Sequence, residues 1–248
     1  MKTPLETSLK LEQIENSPEV PNFPYSEGVG SVLYLGQTSR PDICYASSYL
    51  SSFNKNPKRI HVESLKHLLR YLHATKKVGL VIKNDKSDSI IGYCDADWAN
   101  DVRDRKSITG YIFFYNGSAI SWSTSKQKTV ATSTCQAEYQ ALSAACSEAI
   151  WIKQLINEFD PEVAAKPVQM KVDNRSAIDL SMTASYKKNA KHIDVKHHFI
   201  REQVEDKIVE IQHVNSEDMV ADYLTKSLEL PKHQFCVINS GLEGEILG

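Results

Sequence analysis

Two aspartates stand where their carboxylates could act together on one substrate or ion. Asp95 follows the apolar run 90–94, and Asp173 follows the run 168–172. Both runs have the composition of strands, so both carboxylates are expected at or just past strand ends. Carboxylate oxygens are the ligands that Mg²⁺ prefers, and metal binding is the chemistry that such a pair would support. Taken alone, each residue is explained by the ordinary role of Asp in turns and helix caps.

Glu138 is harder to assign to an ordinary role. Ser133 or Thr134 is expected to cap a long helix that runs to about residue 159, and Glu138 lies on the apolar face of that helix. A carboxylate on a core-facing stripe costs on the order of several kcal/mol unless it is paired, protonated or bound to metal. The alternative is that Glu138, near the helix start, reaches solvent or interacts with the helix dipole. Steps of four and three residues from Glu138 reach Leu142, Ala145, Ala149, Ile152 and Ile156.

A further aspartate, Asp222, lies on a short helix predicted over residues 218–227, which we take as the last helix of the chain. Its neighbours Val220, Ala221 and Leu224 are apolar. An Asp on a short surface helix is weak evidence of function when it is considered by itself.

The segments before these residues predict a separate helical module. Residues 1–24 contain four prolines among charged residues and predict an irregular lead-in. Residues 25–85 have helical periodicity, interrupted at Arg40-Pro41 and Asn56-Pro57, with leucines recurring at helical spacing over 65–72. The polar stretch 84–89 predicts the boundary to the next module.

Residues 86–230 predict an α/β domain, and 231–248 a C-terminal tail. Strands are expected at 90–94, 109–115, 119–123, 168–172 and 208–214. Asn116-Gly117 predicts a hairpin between the second and third of them. Helices are expected over 133–159, 174–182, 195–206 and 218–227. Three strands, a helix, a strand, helices and a further strand indicate one mixed sheet with flanking helices.

The overall composition restricts the compartment and the partners. The formal net charge is −2, so a polyanionic partner would have to bind a local basic patch. The five cysteines are scattered, with no C-x-x-C pair, which indicates a reducing compartment rather than a disulfide framework or a zinc site. No apolar stretch approaches the roughly 18 residues of a membrane span, so we expect a cytoplasmic or nuclear protein without membrane contact.

Six ordered motifs carry a family resemblance. From about residue 88 to 230, the chain resembles the ribonuclease H region of copia-type LTR retrotransposon Pol polyproteins, and residues 34–81 look like the thumb or connection segment before it. Two departures are Asn100, where the family often has Gly, and Gln136, where it often has Glu. The motifs are Tyr-Cys-Asp-Ala-Asp-Trp-Ala at 93–99, Arg-Lys-Ser-Ile-Thr-Gly-Tyr at 105–111, Ser-Thr-Cys-Gln-Ala-Glu-Tyr at 133–139, Val-Asp-Asn-Arg-Ser-Ala at 172–177, Lys-His-Ile-Asp at 191–194 with His-Phe-Ile-Arg-Glu at 198–202, and Ala-Asp-Tyr-Leu-Thr-Lys at 221–226.

The resemblance implies a ribonuclease H-like mixed five-stranded sheet and hydrolysis of the RNA strand of RNA–DNA hybrids by a two-metal mechanism. It implies two Mg²⁺ ions, with Mn²⁺ as a substitute, and no small-molecule cofactor. A reverse-transcriptase polymerase domain is a further expected partner, and a virus-like particle the expected location if the element is active. The residues that the resemblance assigns to catalysis and metal binding are Asp95, Glu138, Asp173 and Asp222.

The segment 186–201 is strongly basic, with Asp194 as its single acid. A run of charges is commonly a solvated helix face. Here it also supplies the local patch that the net charge requires for a phosphate backbone, and we expect it to contact the hybrid duplex. The expected nucleic-acid-binding residues are Lys187, Lys188, Lys191, His192, Lys196, His198 and Arg201.

Three interpretations remain open at this point. The presence of all four acids favours an active hybrid-specific endonuclease. The absence from this sequence of the paired-Asp turn of a polymerase palm favours a domesticated or decayed fragment that binds nucleic acid without cutting. A third interpretation is a structural subunit whose helical module docks onto a separate polymerase.

Overall fold

A computed structural model of the chain describes residues 2–7, 11, 18, 22–83, 85, 88–182 and 191–245, with the backbone alone at 182, 191–195 and 197. Most of the lead-in, parts of the polar stretch 84–89 and residues 246–248 therefore lie outside the described residues. No helix in the described ranges is long and apolar enough to cross a membrane. All five cysteines are free thiols.

Three helices form the N-terminal part of the structure: α1 (Tyr25–Thr38), α2 (Cys44–Ser51) and α3 (Arg59–Ala74). The two predicted breaks are confirmed, because Pro41 begins a short 3-10 helix after α1 and Pro57 lies between α2 and α3. The buried sides of the helices meet in one apolar cluster. Its fully buried members include Val29, Val32, Ile43, Leu50, Leu65 and Leu68.

The predicted mixed sheet of five strands is confirmed. The strands are β2 (Ile91–Asp97), β3 (Ile108–Tyr115), β4 (Ser118–Lys126), β5 (Val168–Val172) and β6 (Val209–His213), and β1 (Gly79–Leu80) lies outside this sheet. The spatial order in the sheet is β4-β3-β2-β5-β6. The pairs β2–β3 and β3–β4 are antiparallel, whereas β5 runs parallel to β2 and β6 runs parallel to β5. This is the ribonuclease H-like arrangement.

The β3–β4 hairpin turns where the sequence predicts. Asn116 has φ 50° and Gly117 has φ 73°, and two consecutive positive φ values are what a tight two-residue hairpin turn requires. Glycine adopts this conformation without a steric penalty and Asn tolerates it better than most residues.

Helices cover one face of the sheet: α4 (Thr134–Asn157), α5 (Pro161–Ala164), α6 (Arg175–Met182) and α7 (Lys191–Glu205). Ser133 is the N-cap of α4, since its hydroxyl accepts a hydrogen bond from the Gln136 backbone N–H. The predicted core stripe of α4 is confirmed, because Leu142, Ala145, Ala149, Ile152 and Ile156 are all buried in one cluster with β2, β5 and β6.

The prediction of one helix over 218–227 at the end of the domain is wrong in two respects. Asp222 lies on a 3-10 helix, Val220–Leu224, and a further α-helix, α8 (Leu230–Asn239), follows it. After α8, β7 (Leu242–Glu243) pairs with β1. The range 231–248 that we expect to be a tail thus contains a helix and a strand. Apolar burial explains the extra helix, because Cys236 of α8 packs against Met219, Val220 and Leu224.

A buried polar network fastens α3 to the segment before α2. The Arg40 guanidinium and the Asp42 carboxylate form an ion pair of 2.7 Å, and Tyr71 donates its hydroxyl to Asp42 over 2.6 Å. Arg40 also donates to the Thr75 hydroxyl. All four side chains are buried, so each charge depends on its partners for solvation.

We expect Asp42→Ala to lower the free energy of unfolding by about 3–5 kcal/mol, because it leaves Arg40 buried without its counter-charge. Urea unfolding followed by circular dichroism measures the change. The matched control is Asp88→Ala, which removes an exposed carboxylate from its ion pair with Lys166 and is expected to leave the free energy of unfolding nearly unchanged. Equal losses in the two variants would contradict the role given to Asp42.

Candidate metal centre

Three carboxylates from distant parts of the chain meet at one end of the sheet. Asp95 is on β2, Glu138 is on α4, and Asp173 directly follows β5. One carboxylate oxygen from each of them lies within 4.8 Å of the other two. We call these three residues the acidic triad. The sequence-based prediction that they converge is therefore met in the structure.

The sequence predicts Asp95 at or just past the end of β2. In the structure Asp95 lies within the strand. The antiparallel pairing with β3 continues through Asp95↔Gly110 to Asp97↔Ile108, so β2 is longer than its apolar run. The parallel pairing of β2 with β5 ends at Tyr93↔Lys171. Beyond Tyr93 the two strands separate, and this separation makes room for carboxylates at the end of β5.

Glu138 is the most electrostatically strained of the three. The residue is 4% exposed, and its Oε2 atom has no hydrogen-bond partner among the described residues. Burial, followed by repulsion from Asp95 and Asp173, raises the pKa of Glu138 from 4.5 to about 9. The positive charge of Lys226 and the Ala96 backbone N–H oppose this shift only in part. Among the described residues, Glu138 is thus a buried carboxyl on which Lys226 acts without forming an ion pair with it.

Asp95 is also buried but has hydroxyl and ammonium partners. Burial raises the pKa of Asp95 to about 6, while the positive charge of Lys226 opposes the shift and the negative charge of Asp222 adds to it. The Thr225 hydroxyl donates a hydrogen bond to Asp95 Oδ2. This contact fixes the Asp95 carboxylate from the side of the sheet opposite to α4.

Gly110 explains how the segment carrying Thr225 comes so close to β2 and β3. A Cβ atom at Gly110 would lie 2.7 Å from the Thr225 methyl carbon and 2.8 Å from Leu224 Cβ. Real Cβ atoms do not make contacts this short, so any larger residue would displace the segment. Gly110 pairs directly with Asp95 across the two strands, and its small size therefore supports the contact of Thr225 with Asp95.

Asp173 is the residue of the acidic triad that is accessible to solvent. Its side chain is partly exposed, and its Oδ2 accepts a hydrogen bond of 2.8 Å from the Ser216 hydroxyl. A partly exposed ligand beside two buried ones leaves a path for an ion or a substrate from solvent.

Asp222, the fourth predicted ligand, lies beside the acidic triad and is not one of the three residues that meet within 4.8 Å. It is buried and forms ion pairs with Lys226 at 2.6 Å and with Lys232 at 3.1 Å. Lys226 Nζ is also 3.5 Å from Asp95 Oδ2. A lysine therefore connects the fourth acid to the triad, and the role of Asp222 as a metal ligand stays a prediction.

The donor set of the triad fits a hard divalent cation. All three side chains offer carboxylate oxygens, the ligand type that Mg²⁺ and Mn²⁺ prefer. The partnerless Oε2 of Glu138 is a buried acceptor of the kind that a bound cation would satisfy. A cation would also remove the mutual repulsion that raises the pKa of Glu138.

The residues expected to contact nucleic acid are only partly described. Lys187 and Lys188 lie outside the described residues, and Lys191 and His192 lie on α7 with side chains outside them. Of the rest, Lys196 is half-buried, and its Nζ is 3.2 Å from Gln140 Oε1 on α4. Arg201 forms an ion pair with Glu205, and His198 is exposed. Nucleic-acid contact by these seven residues stays a prediction.

Lys196 borders a cavity of about 390 Å³ between α4, α7 and the end of β4. Burial lowers the pKa of Lys196. Lys128, from the loop after β4, and Thr129 also line the cavity. The Thr129 hydroxyl donates to the same Gln140 oxygen that Lys196 approaches. The basic groups of α7 and of this loop thus lie on one side of the α4 N-terminal half.

Sequence inspection did not single out Lys226, Thr225 or Lys232 as parts of the site. Lys226 belongs to the quoted Ala-Asp-Tyr-Leu-Thr-Lys motif and follows Asp222 by four residues. That spacing is a signal for an ion pair on a helix. The contacts of Thr225 and Lys226 with Asp95 depend on tertiary structure and have no sequence signal.

Comparison with known proteins identifies relatives but no matching family model. The chain is 40% identical over 243 residues to the retrovirus-related Pol polyprotein from transposon TNT 1-94 of Nicotiana tabacum, covering 95% of this chain and 18% of the polyprotein. It is 38% identical over 226 residues to that from transposon RE1 of Arabidopsis thaliana, covering 91% of this chain and 15% of the polyprotein. It is 44% identical over 131 residues to secreted RxLR effector protein 161 of Plasmopara viticola, covering 53% of this chain and 92% of that protein.

Among solved structures, the chain is similar to ribonuclease H1 from the halophilic archaeon Halobacterium salinarum NRC-1. The identity is 19% and the TM-score is 0.41, covering 55% of this chain and 94% of that chain. The chain spans less than a fifth of the length of the two Pol polyproteins. With this identity over more than nine-tenths of its length, the chain belongs to the family of copia-type retrotransposon Pol polyproteins and corresponds to one segment of them.

Proposed function

We propose that this chain is a metal-dependent endonuclease that hydrolyses the RNA strand of RNA–DNA hybrids, as the ribonuclease H segment of a copia-type retrotransposon Pol. The single observation that carries the proposal is the convergence of Asp95, Glu138 and Asp173 within 4.8 Å, with a buried glutamate oxygen left without a partner. The family supports the substrate, since a retroelement copies RNA into DNA and passes through a hybrid duplex.

Asp95, Glu138 and Asp173 would hold the divalent ion, with Mg²⁺ as the expected ion and Mn²⁺ as its substitute. Bound divalent ions lower the pKa of an attacking water and stabilise charge on the entering and leaving oxygens of a phosphodiester. The sequence-based expectation of two ions and of Asp222 as a fourth ligand stays a prediction, and the proposed function requires only the ion that the acidic triad would hold.

The residues around the triad orient its carboxylates before any ion binds. Thr225 donates to Asp95, Ser216 donates to Asp173, and the Ala96 backbone N–H donates to Glu138. Contacts of this kind fix ligand direction and thereby reduce the reorganisation needed when the ion and substrate arrive. Glu138 must also lose its proton on binding, because the carboxylate is the form that ligates metal.

The basic side chains on α7 and on the loop after β4 would position the duplex. Lys196, His198 and Arg201 belong to the expected patch, and Lys128 lines the same cavity as Lys196. Lysine and arginine neutralise phosphates without reading base sequence. Such contacts suit an enzyme that must act on hybrids of many sequences.

Two other functions are compatible with the same fold. They differ from the enzyme, and from each other, in whether the chain binds the hybrid and whether it cuts it. A domesticated fragment would bind the hybrid and leave it uncut, and a structural subunit would do neither without a polymerase. The triad favours the enzyme, because three converging acids without a cation repel one another and also repel a phosphate backbone. Incubation of the purified chain with a labelled hybrid in Mg²⁺ or EDTA, resolved on a denaturing gel for cleavage and on a native gel for binding, separates the three.

We expect Asp95→Asn and Glu138→Gln each to lower the rate of Mg²⁺-dependent hybrid cleavage by roughly three orders of magnitude, since each removes an anionic ligand. Binding of the hybrid, measured by fluorescence anisotropy, should change by less than about threefold because the duplex is held by basic groups. Asp88→Asn is the control, because it removes a carboxylate and leaves the acidic triad unaltered. Cleavage by either triad variant at the parent's rate would show that the assignment is wrong.

The raised pKa of Glu138 predicts a pH dependence of the stability of the metal-free protein. Its folded-state pKa of about 9 exceeds the ordinary value of 4.5, so the fold favours the protonated form. The resulting stability is present below about pH 4.5 and is lost as the pH rises through about 9. In EDTA, the free energy of unfolding of the parent should fall by a few kcal/mol between pH 5 and pH 9.

In Glu138→Gln the side chain at position 138 cannot ionise. The free energy of unfolding of this variant should therefore show only the smaller decrease with pH that Asp95 contributes. Urea unfolding of both proteins over this pH range tests the expectation. Parallel curves for parent and variant would mean that Glu138 is ionised and solvated at neutral pH.

The basic patch predicts a strong dependence of hybrid binding on salt. Replacing Lys187, Lys188 and Lys191 together by Gln should weaken binding and lower the slope of log K against log salt by about 2–3, because about three phosphate contacts are lost. The control replaces Lys55, Lys76 and Lys77, three exposed lysines of the helical module. An unchanged slope in the variant of Lys187, Lys188 and Lys191 would place the duplex elsewhere.

A further inference from the structure

Lys226 is placed between the acidic triad and the fourth acid. Its ammonium nitrogen lies 2.6 Å from Asp222 Oδ1 and 3.5 Å from Asp95 Oδ2. Asp95 and Asp222 are both buried, whereas the Lys226 side chain is 37% exposed. A positive charge is thus already present at the place where a second ion would have to bridge these two carboxylates.

The two lysines at Asp222 have different second partners. Lys232 donates to the backbone carbonyls of Ser216 and Glu217, each over 2.7 Å, and so joins α8 to the short 3-10 turn Ser216–Asp218. Lys226 has a triad carboxylate as its second partner. Lys232 is therefore a matched control: it has the same charge, the same contact with Asp222 and no contact with Asp95 in the structure.

We propose that the Lys226 ammonium is a built-in cation that fills the position between Asp95 and Asp222, so that the free chain binds one divalent ion, at Asp95, Glu138 and Asp173. The inference rests on the proposed function and makes it more specific. Among the described residues, the ion pairs of Lys226 are with Asp95 and Asp222, and Lys226 acts on Glu138 only as a more distant charge. The side of the triad formed by Glu138 and Asp173 is therefore the side left for an ion. A second ion would have to displace the ammonium against two carboxylates.

Removal of the ammonium should make the second position available. Lys226→Met keeps the length and apolar character of the stem and removes the charge. It leaves Asp95 without its ammonium partner and Asp222 with Lys232 alone. The pair of carboxylates then carries one more negative charge, which a divalent ion would neutralise. The variant should therefore bind a second ion at least tenfold more tightly than the parent does.

The test is isothermal titration calorimetry of the full chain with MnCl₂, without nucleic acid, supported by electron paramagnetic resonance counting of bound Mn²⁺. We expect one ion per chain for the parent and for Lys232→Met, and two for Lys226→Met. Lys226→Arg keeps the charge and should bind one ion, as the parent does. If Lys226→Met does not fold, the parent alone still decides, since two ions of similar affinity in the parent would overturn the inference.

The outcomes separate this inference from the proposed function. One ion in the parent and one of unchanged affinity in a folded Lys226→Met would overturn the inference and leave the triad as a metal site. No bound ion in the parent or in any variant would overturn both. Loss of the parent's ion in Asp173→Asn would confirm that the counted ion is bound by the triad.

Discussion

The burial of the Glu138 carboxyl against Asp95 and Asp173 is the constraint on which the rest of the site depends. Removing a carboxylate from water costs several kcal/mol, and two nearby acids add to that cost. The fold nevertheless places Glu138 on the core-facing stripe of α4, opposite the point where β2 and β5 separate. An arrangement that is unfavourable without a cation becomes favourable with one, and this difference gives the three acids their proposed function.

The surrounding structure holds the acids at this point despite their repulsion. α4 is anchored by its cap at Ser133 and by a continuous apolar stripe on the sheet. On the opposite face, the 3-10 helix Val220–Leu224 packs against β3 because Gly110 has no side chain. α8 and the β1–β7 pair then join the end of the chain to the segment that follows α3. The site thus depends on both faces of the sheet.

Much of this arrangement is predictable from the sequence, for identifiable reasons. Alternating and apolar runs predict the strands, and helical periodicity places Glu138 on the buried face of α4. The extent of β2 was not predictable, because its polar end is a strand only through pairing with β3. α8 was also missed, since a ten-residue helix has little stability in isolation and this one is stabilised by contacts with residues 219–224. The position of Lys226 between two acids depends on tertiary packing alone.

The most direct test of the central claim is a crystal structure of the chain grown or soaked with MnCl₂, with anomalous diffraction data collected to locate manganese. We predict an anomalous peak within coordination distance of oxygens from Asp95, Glu138 and Asp173. A well-ordered site with these three side chains in place and no anomalous peak between them would contradict the account.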